Sequence, residues 1–330
     1  MAQKTVKIGL VGLGGHMVGN LILRLLVLPV EIVAVCDLNP ERISLVEKKF
    51  FIPRSYTDYR IMLQEQQLDA VICSVDAQTH YEVAKLAMLS GTYVFIEKTP
   101  CSTVAQAEEL AELQKQTQCY AMVGFNRRFA TTYLMAKDIV KLPEFGGVHM
   151  YQAKYHASPY GSQASFIFNH IVNHLDLARF FLGDMRITHA EHFELDNRRF
   201  GYNITFVTEL GTIGNIQSAS VQDMTIPVER VELIGSERNV IVDNLKNIEY
   251  NRPGQMNGGY EHASLRGEGN TLIWNVNHGL HTSFTYLGYD LELKEFIRAA
   301  AERNEPVVHM EDTMKTIRLI HQFNDLLQSS

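Results

Sequence analysis

Val6-Lys7-Ile8-Gly9-Leu10-Val11-Gly12-Leu13-Gly14-Gly15-His16-Met17 is the stretch on which the reading of this chain turns. Val6–Val11 is short and mostly apolar, as a strand covered on both faces would be. A glycine turn follows, and then a helix signal. Gly12 permits the tight turn, and Gly14 lets backbone approach a pyrophosphate, which would sit where the unpaired N–H groups of a helix start point outward. Gly15 and His16 complete the turn. Met17 stands where the strict pattern has its third glycine, a helix-packing position, with Gly19 nearby to relieve crowding. Asp37 closes the next strand-like run. A carboxylate there accepts hydrogen bonds from both ribose hydroxyls of NAD and repels the 2′-phosphate of NADP. Arg42 keeps NADP open as a second cofactor.

Working outward, strand-like runs at Ile32–Cys36, Ala70–Val75, Tyr93–Ile96 and Tyr120–Val123 alternate with helix signals. Asn39-Pro40, Thr79-x-x-Glu82 and Thr103-x-x-Gln106 read as helix starts, and Ser90-Gly91 as a helix end. This rhythm predicts an α/β fold with a Rossmann-type doubly wound parallel sheet over residues 1–124. After Gly124 the rhythm changes. One helix signal spans Asn169–Leu182. Strand signals at Val148–Tyr155, Ile187–Glu194, Asn203–Thr208, Gly214–Ser220 and Val228–Ile234 follow without intervening helices. Residues 125–330 are therefore expected to form a second domain with a largely antiparallel sheet. Residues 251–282 show no period, and two helix signals, Leu291–Arg303 and Met310–Leu327, close the chain.

The 330 residues are 46% hydrophobic and 20% charged, the balance of a globular protein with a core. A net charge of −7 gives no overall attraction to nucleic acid or anionic lipid, and neither is expected as a partner. No apolar run has the length of a membrane span, and the N-terminus lacks the three regions of a signal peptide. Cys36, Cys73, Cys101 and Cys119 have no C-x-x-C spacing and read as reduced core thiols of a cytoplasmic protein. His189/His192 and His278/His281 are spaced pairs, but there is no H-E-x-x-H, and no metal is expected. No G-x-S-x-G nucleophile elbow occurs.

The fourth strand-like run ends in Phe95-Ile96-Glu97-Lys98-Thr99-Pro100, where ligands of open α/β sheets bind. A lysine desolvated against a cofactor ring has its pKa lowered toward neutrality and exchanges protons with a hydroxyl. Together with Ser74–His80, Gly124-Phe125-Asn126-Arg127-Arg128-Phe129 and the late Tyr289-x-x-Glu292-Leu293-x-x-Phe296, this segment makes the chain resemble the Gfo/Idh/MocA family of NAD(P)-dependent sugar and cyclitol oxidoreductases. Lys98 matches the lysine of the family's Glu-Lys-Pro signature, with Thr99 before Pro100. Asp76 and Ala77 replace the more usual Pro-Asn. The resemblance implies hydride transfer between a nicotinamide and a sugar, polyol or cyclitol, with Lys98 handling the proton. It places the cofactor against Gly12, Gly14, Gly15, His16, Met17, Asp37, Ser74, Val75, His80, Glu97, Lys98 and Asn126. It implies that the second domain is an α/β domain with a large, open, mostly antiparallel sheet, and it implies a homodimer or homotetramer.

The family's second motif is Asp-x-x-x-His on the first helix of the second domain. Aligning Asp176, Arg179 and Gly183 puts Asn169 at its Asp and Asn173 at its His, and neither titrates. His170 and His174 lie one residue further along. On a helix Asn169, Asn173 and Asp176 share a face flanked by both histidines, while Ile171, Leu175, Ala178 and Leu182 face the core. Three outcomes follow. Lys98 carries proton transfer while Asn173 orients the hydroxyl; or His174 or His170 replaces the missing imidazole; or turnover is lost. The first two together are the expectation, with Lys98, His174 and Asn173 as catalytic residues. Arg127, His156, Asn169, His170, Asn173 and His174 are expected to contact substrate. Pro159-Tyr160-Gly161 is read as a covering loop, Trp274 and His278 as pocket or loop core, and Arg127-Arg128 as domain-junction ion pairs. Two further functions stay open: a dinucleotide-binding regulator without turnover, and glycoside cleavage through transient oxidation by NAD.

Overall fold

A computed structural model describes residues 5–223, 225–226, 228–253, 271–275 and 286–329. They divide into two units, Met1–Asn126 with Gly288–Arg318, and Arg127–Leu287 with Leu319–Ser330.

The first unit holds a six-stranded parallel sheet of β1 (Val6–Val11), β2 (Val30–Cys36), β3 (Ser55–Tyr56), β4 (Ala70–Cys73), β5 (Tyr93–Glu97) and β6 (Ala121–Gly124). The order β3-β2-β1-β4-β5-β6 reverses direction between β1 and β4, which opens a crevice at their carboxyl ends. β4, β5 and β6 are buried throughout, as strands covered on both faces must be. Asn39 caps the helix Pro40–Phe50 by accepting from Glu41 N and Arg42 N, and Thr103 caps Val104–Thr117 by accepting from Gln106 N. The helix Ala77–Leu89 starts earlier than the Thr79 signal. Asp76 accepts from both Thr79 N and Thr79 Oγ1, so the carboxylate takes the capping place and Thr79 becomes its donor. Gly91 adopts φ 75° after this helix. The returning helix Tyr289–Glu302 lays Phe296 edge-on against Phe95, ring centres 5.6 Å apart.

The second unit holds eight strands, β7 (Met150–His156), β8 (Met185–Asp196), β9 (Arg199–Thr208), β10 (Ile213–Ala219), β11 (Val228–Ile234), β12 (Asn239–Asp243), β13 (Asn247–Asn251) and β14 (Thr271–Asn275). They run β14-β13-β12-β11-β7-β10-β9-β8, antiparallel except for the parallel pair β7 and β10. Side chains alternate as a one-face-covered sheet requires: Tyr151 and Ala153 point inward, Gln152 and Lys154 outward. The helix Thr131–Val140 packs on β12 and β13, and Val172–Leu182 on β7. The first five of these strands agree with the sequence reading; β12, β13, β14 and the helix Thr131–Val140 are additions. All four cysteines are buried and free. Among the described residues no helix is long and apolar enough to cross a membrane.

Candidate active site

The crevice of the first unit is a cavity of about 960 Å³ whose lining includes Gly12, Gly14, Asp37, Asn39, Arg42, Ser74 and Val75. Gly12 has φ +82°, and a Cβ there would lie 2.3 Å from Ser74 O, so only glycine fits. At Gly14 and Gly15 a Cβ would meet nothing within 4 Å, which leaves room for a phosphate against bare backbone. Asp37, buried at the end of β2, is held at both oxygens. Oδ2 accepts from Leu13 N at 2.6 Å and Oδ1 from Asn39 N at 2.8 Å. The carboxylate thus braces the glycine turn from below. Arg42 Nη1 lies 3.8 Å from Asp37 Oδ2. These features fit a dinucleotide: a phosphate cradle, then a fixed acceptor for ribose hydroxyls.

Met17 is fully buried and begins a π-helical turn, Met17–Leu21, that runs into Ile22–Leu25. The widened turn loosens carbonyls, and Arg24 Nη1 donates to two of them, Gly19 O and Asn20 O. The place of the third glycine is thereby filled without a clash.

Lys98 follows β5, half-buried, between two tethered neighbours. On its N-terminal side Glu97 is buried and accepts from His16 Nε2 at 2.9 Å, while His16 Nδ1 accepts from Asn20 Nδ2 at 3.0 Å. Gly124 on the adjacent strand makes room for that carboxylate, since a Cβ there would lie 3.1 Å from it. On the C-terminal side the Lys98–Thr99 peptide is cis, and Thr99 O pairs with His80 Nδ1 at 2.9 Å. Val75 N donates to His80 Nε2 at 3.0 Å. That bond fixes the tautomer: the ring proton sits on Nδ1 and is donated to Thr99 O. Burial lowers the His80 pKa, which keeps the ring neutral. His16 and His80 each spend both ring nitrogens on protein partners. Asn126 is buried just after β6.

The second unit has its own polar centre. Arg127 Nε and Nη2 donate to the two oxygens of Glu229 at 2.9 and 2.7 Å, and Nη2 also donates to Tyr155 OH. Tyr133 OH donates to the same carboxylate at 2.9 Å. Burial alone would lower the Arg127 pKa; the Glu229 carboxylate more than offsets this and raises it. The Tyr155 ring stacks on His170 at 3.6 Å and packs against His174 at 4.1 Å. Burial first holds both imidazoles well below the usual histidine range, helped at His170 by His174 and then Arg127 and at His174 by Arg127, so both are neutral. His174 is fully buried, and neither ring nitrogen has a hydrogen-bond partner among the described residues. Burial also lowers the pKa of His156. Asn169 Nδ2 donates to Ser165 O at 2.9 Å and Asn173 Nδ2 to Asn169 O at 3.1 Å, across a second π-helical turn, Ile167–Ile171.

The structure thus gathers Gly12, Gly14, Asp37, Ser74 and Val75 around one crevice and braces Lys98 at the carboxyl end of β5. It pairs Arg127 with Glu229 and Arg128 with Asp176, both ion pairs of the second unit. The segment expected to be amphipathic is buried on nearly every side from Val172 to Arg179. Tyr160 packs edge-on against Phe166. Trp274 lies on β14, and His278 falls outside the described residues. Glu229 was not singled out from sequence. Its signal was legible, because in Glu229-x-Val231-x-Leu233 a carboxylate occupies the inward face of a strand.

Residues 6–125 match the model of an oxidoreductase family with an NAD-binding Rossmann fold. Inositol 2-dehydrogenase of Salmonella typhimurium is 31% identical over 188 residues, 54% of this chain and 55% of that protein. The chain therefore spans about half the length of the curated relatives it matches first. An NAD(+)-dependent scyllo-inositol 2-dehydrogenase of Bacillus subtilis is 23% identical over 320 residues, 91% of this chain and 87% of its own. A solved dehydrogenase structure from Chromobacterium violaceum superposes with a TM-score of 0.87 at 25% identity, covering 99% and 97% of the two chains.

Proposed function

We propose, on the match of residues 6–125 to an NAD-binding oxidoreductase family, that the chain is a Gfo/Idh/MocA oxidoreductase that interconverts a hydroxyl and a ketone on a cyclitol or sugar. Bound NAD supplies the hydride acceptor; the protein supplies position and proton management. In the oxidative direction Lys98, as the free amine, takes the hydroxyl proton and passes it to solvent. The observation that carries this role is the double tether at Glu97 and Thr99, which fixes the lysine at the carboxyl end of β5. Preorganisation of this kind is what proton transfer needs. The inositol dehydrogenases among the relatives support the cyclitol class.

Asn173 is proposed to orient the substrate hydroxyl, with Arg127, His156, Asn169 and His170 supplying further contacts. His174, sealed and neutral, is proposed to shape that site and not to relay protons. The family resemblance supports a homodimer or homotetramer, which sedimentation measures directly.

The test is NADH formation from myo-inositol, scyllo-inositol and a panel of sugars, with NAD and NADP, for the wild type and Lys98→Ala. The variant should lose about 10²–10⁴-fold in turnover, the scale of general acid–base catalysis, while still binding NAD. Unchanged turnover removes Lys98 from the reaction. A second reading is favoured by the two asparagines, whose amides bond to their own helix and cannot titrate. It is a regulator that binds NAD without turnover, and it predicts NAD binding with no product across the panel.

A further inference from the structure

His80 is named by the sequence as a cofactor contact, yet its geometry gives it different work. The ring is 1% exposed, and each nitrogen is committed to backbone: Nε2 accepts from Val75 N, and Nδ1 donates to Thr99 O. No ring nitrogen is left for a nucleotide. The two backbone partners belong to different loops. Val75 follows β4 and walls the crevice, where its Cγ1 would lie 2.5 Å from a Cβ on Gly12. Thr99 follows Lys98. His80 itself is anchored on the helix Ala77–Leu89, where its N–H donates to Asp76 O at 2.8 Å.

We propose that His80 is a positioning residue that clamps the loop carrying Lys98 to the loop walling the dinucleotide crevice, so that the cofactor wall and the proton-transfer group move as one piece. One ring bridging two carbonyl-end loops transmits any shift of Val75 to Thr99, and so to the adjoining Lys98. A rigid imidazole does this beyond the last β4–β5 pair, Cys73 with Ile96, where the ladder between the two strands ends. The inference rests on the Lys98 role proposed above.

The two bonds separate experimentally. An asparagine amide nitrogen superposes on Nδ1, and a glutamine amide oxygen on Nε2. His80→Asn therefore keeps the Thr99 bond alone, His80→Gln keeps the Val75 bond alone, and His80→Ala keeps neither. Three readouts apply to each full-length variant with retained circular dichroism: NAD affinity by calorimetry, kcat and KM with myo-inositol, and the pH profile of acetic anhydride labelling at Lys98, read by mass spectrometry. His80→Asn should keep the labelling profile and a kcat within about threefold of wild type, with NAD affinity weakened about tenfold, the size of one lost hydrogen bond. His80→Gln should show the reverse: near-normal NAD affinity, a shifted labelling profile and kcat down by about 10²-fold, the cost of a misplaced catalytic group. His80→Ala should show both defects. Equal defects in the Asn and Gln variants, or none in any variant, overturn the proposal. Affinity and labelling need no turnover, so a wild type inactive on myo-inositol, or an unimpaired Lys98→Ala, counts against the reaction assigned to the site and leaves the clamp to be judged on those two readouts.

Discussion

Asp37 does two jobs with one carboxylate. It braces the glycine turn through Leu13 N and presents acceptor lone pairs at the crevice. In the proposed function its charge also sets the cofactor choice, because a 2′-phosphate placed there would meet a buried anion. Arg42, 3.8 Å away, is already placed to receive that phosphate once the anion is gone. Asp37→Ser should therefore raise the NADP-to-NAD ratio of kcat/KM by at least about tenfold, a change of roughly 1.4 kcal/mol, and weaken NAD itself. An unaltered ratio would place the ribose elsewhere. The glycine turn and Asp37 were legible in the sequence because strand, glycine turn, helix and strand-end carboxylate form one motif of recognised spacing. The histidine tethers were not. His80 reaches 19 residues along the chain, His16 reaches 81 and Arg127 reaches 102, and these partners belong to no motif of recognised spacing.

Among elements, the helix Val172–Leu182 carries a buried ion pair as its keel. Arg128 Nε and Nη2 donate to the two oxygens of Asp176 at 2.7 and 2.6 Å, with both side chains almost without solvent. Asp176→Ala leaves a guanidinium buried without its carboxylate. It should cost about 3–5 kcal/mol in urea unfolding, the scale for breaking one side of such a pair. A loss under 1 kcal/mol would mean that water reaches Arg128. The sequence places Asp176 on the polar face of this helix but gives no hint that the face is sealed. Element boundaries were readable wherever a chemical signal marked them: Asn39-Pro40, Thr103 and Gly91 all behave as read. The hairpin from β12 to β13 was not, because its turn uses Asn244 and Leu245 at φ 48° and 60° and no glycine. Tertiary bonds support that turn, since Glu229 N donates to Asn244 Oδ1 and Thr132 Oγ1 to Leu245 O. The helix Thr131–Val140 escaped for a similar reason, as Ala130 offers no capping side chain.

At the scale of the whole molecule the buried histidines make stability depend on pH. Burial lowers the pKa of His80, His156, His170 and His174, that of His170 to about 2. His170 and His174 sit beside the Arg127 cation, which disfavours a second positive charge, while Glu229 offsets it only in part. An unfolded histidine titrates near pH 6.5. Below that value the unfolded chain binds protons that the folded chain refuses, so stability is full above about pH 7 and falls as the solution is acidified. Each ring excluded from protonation costs up to about 1.4 kcal/mol per pH unit below 6.5. His170 and His174 together should remove roughly 2 kcal/mol between pH 6.5 and 5.5, since an unfolded histidine is already half protonated at pH 6.5. Carboxylates with lowered pKa values, such as Asp76 and Glu82, lose their contribution only at more acidic pH. Urea unfolding at pH 7.5, 6.5 and 5.5 measures the slope. His170→Phe keeps a ring stacked between Tyr155 and Phe166 and removes the titrating group, so it should flatten the slope by about one proton. A wild type equally stable at pH 7.5 and 5.5 would mean that these rings accept protons in the folded state, and the neutral packing of Tyr155 against both histidines would have to be abandoned.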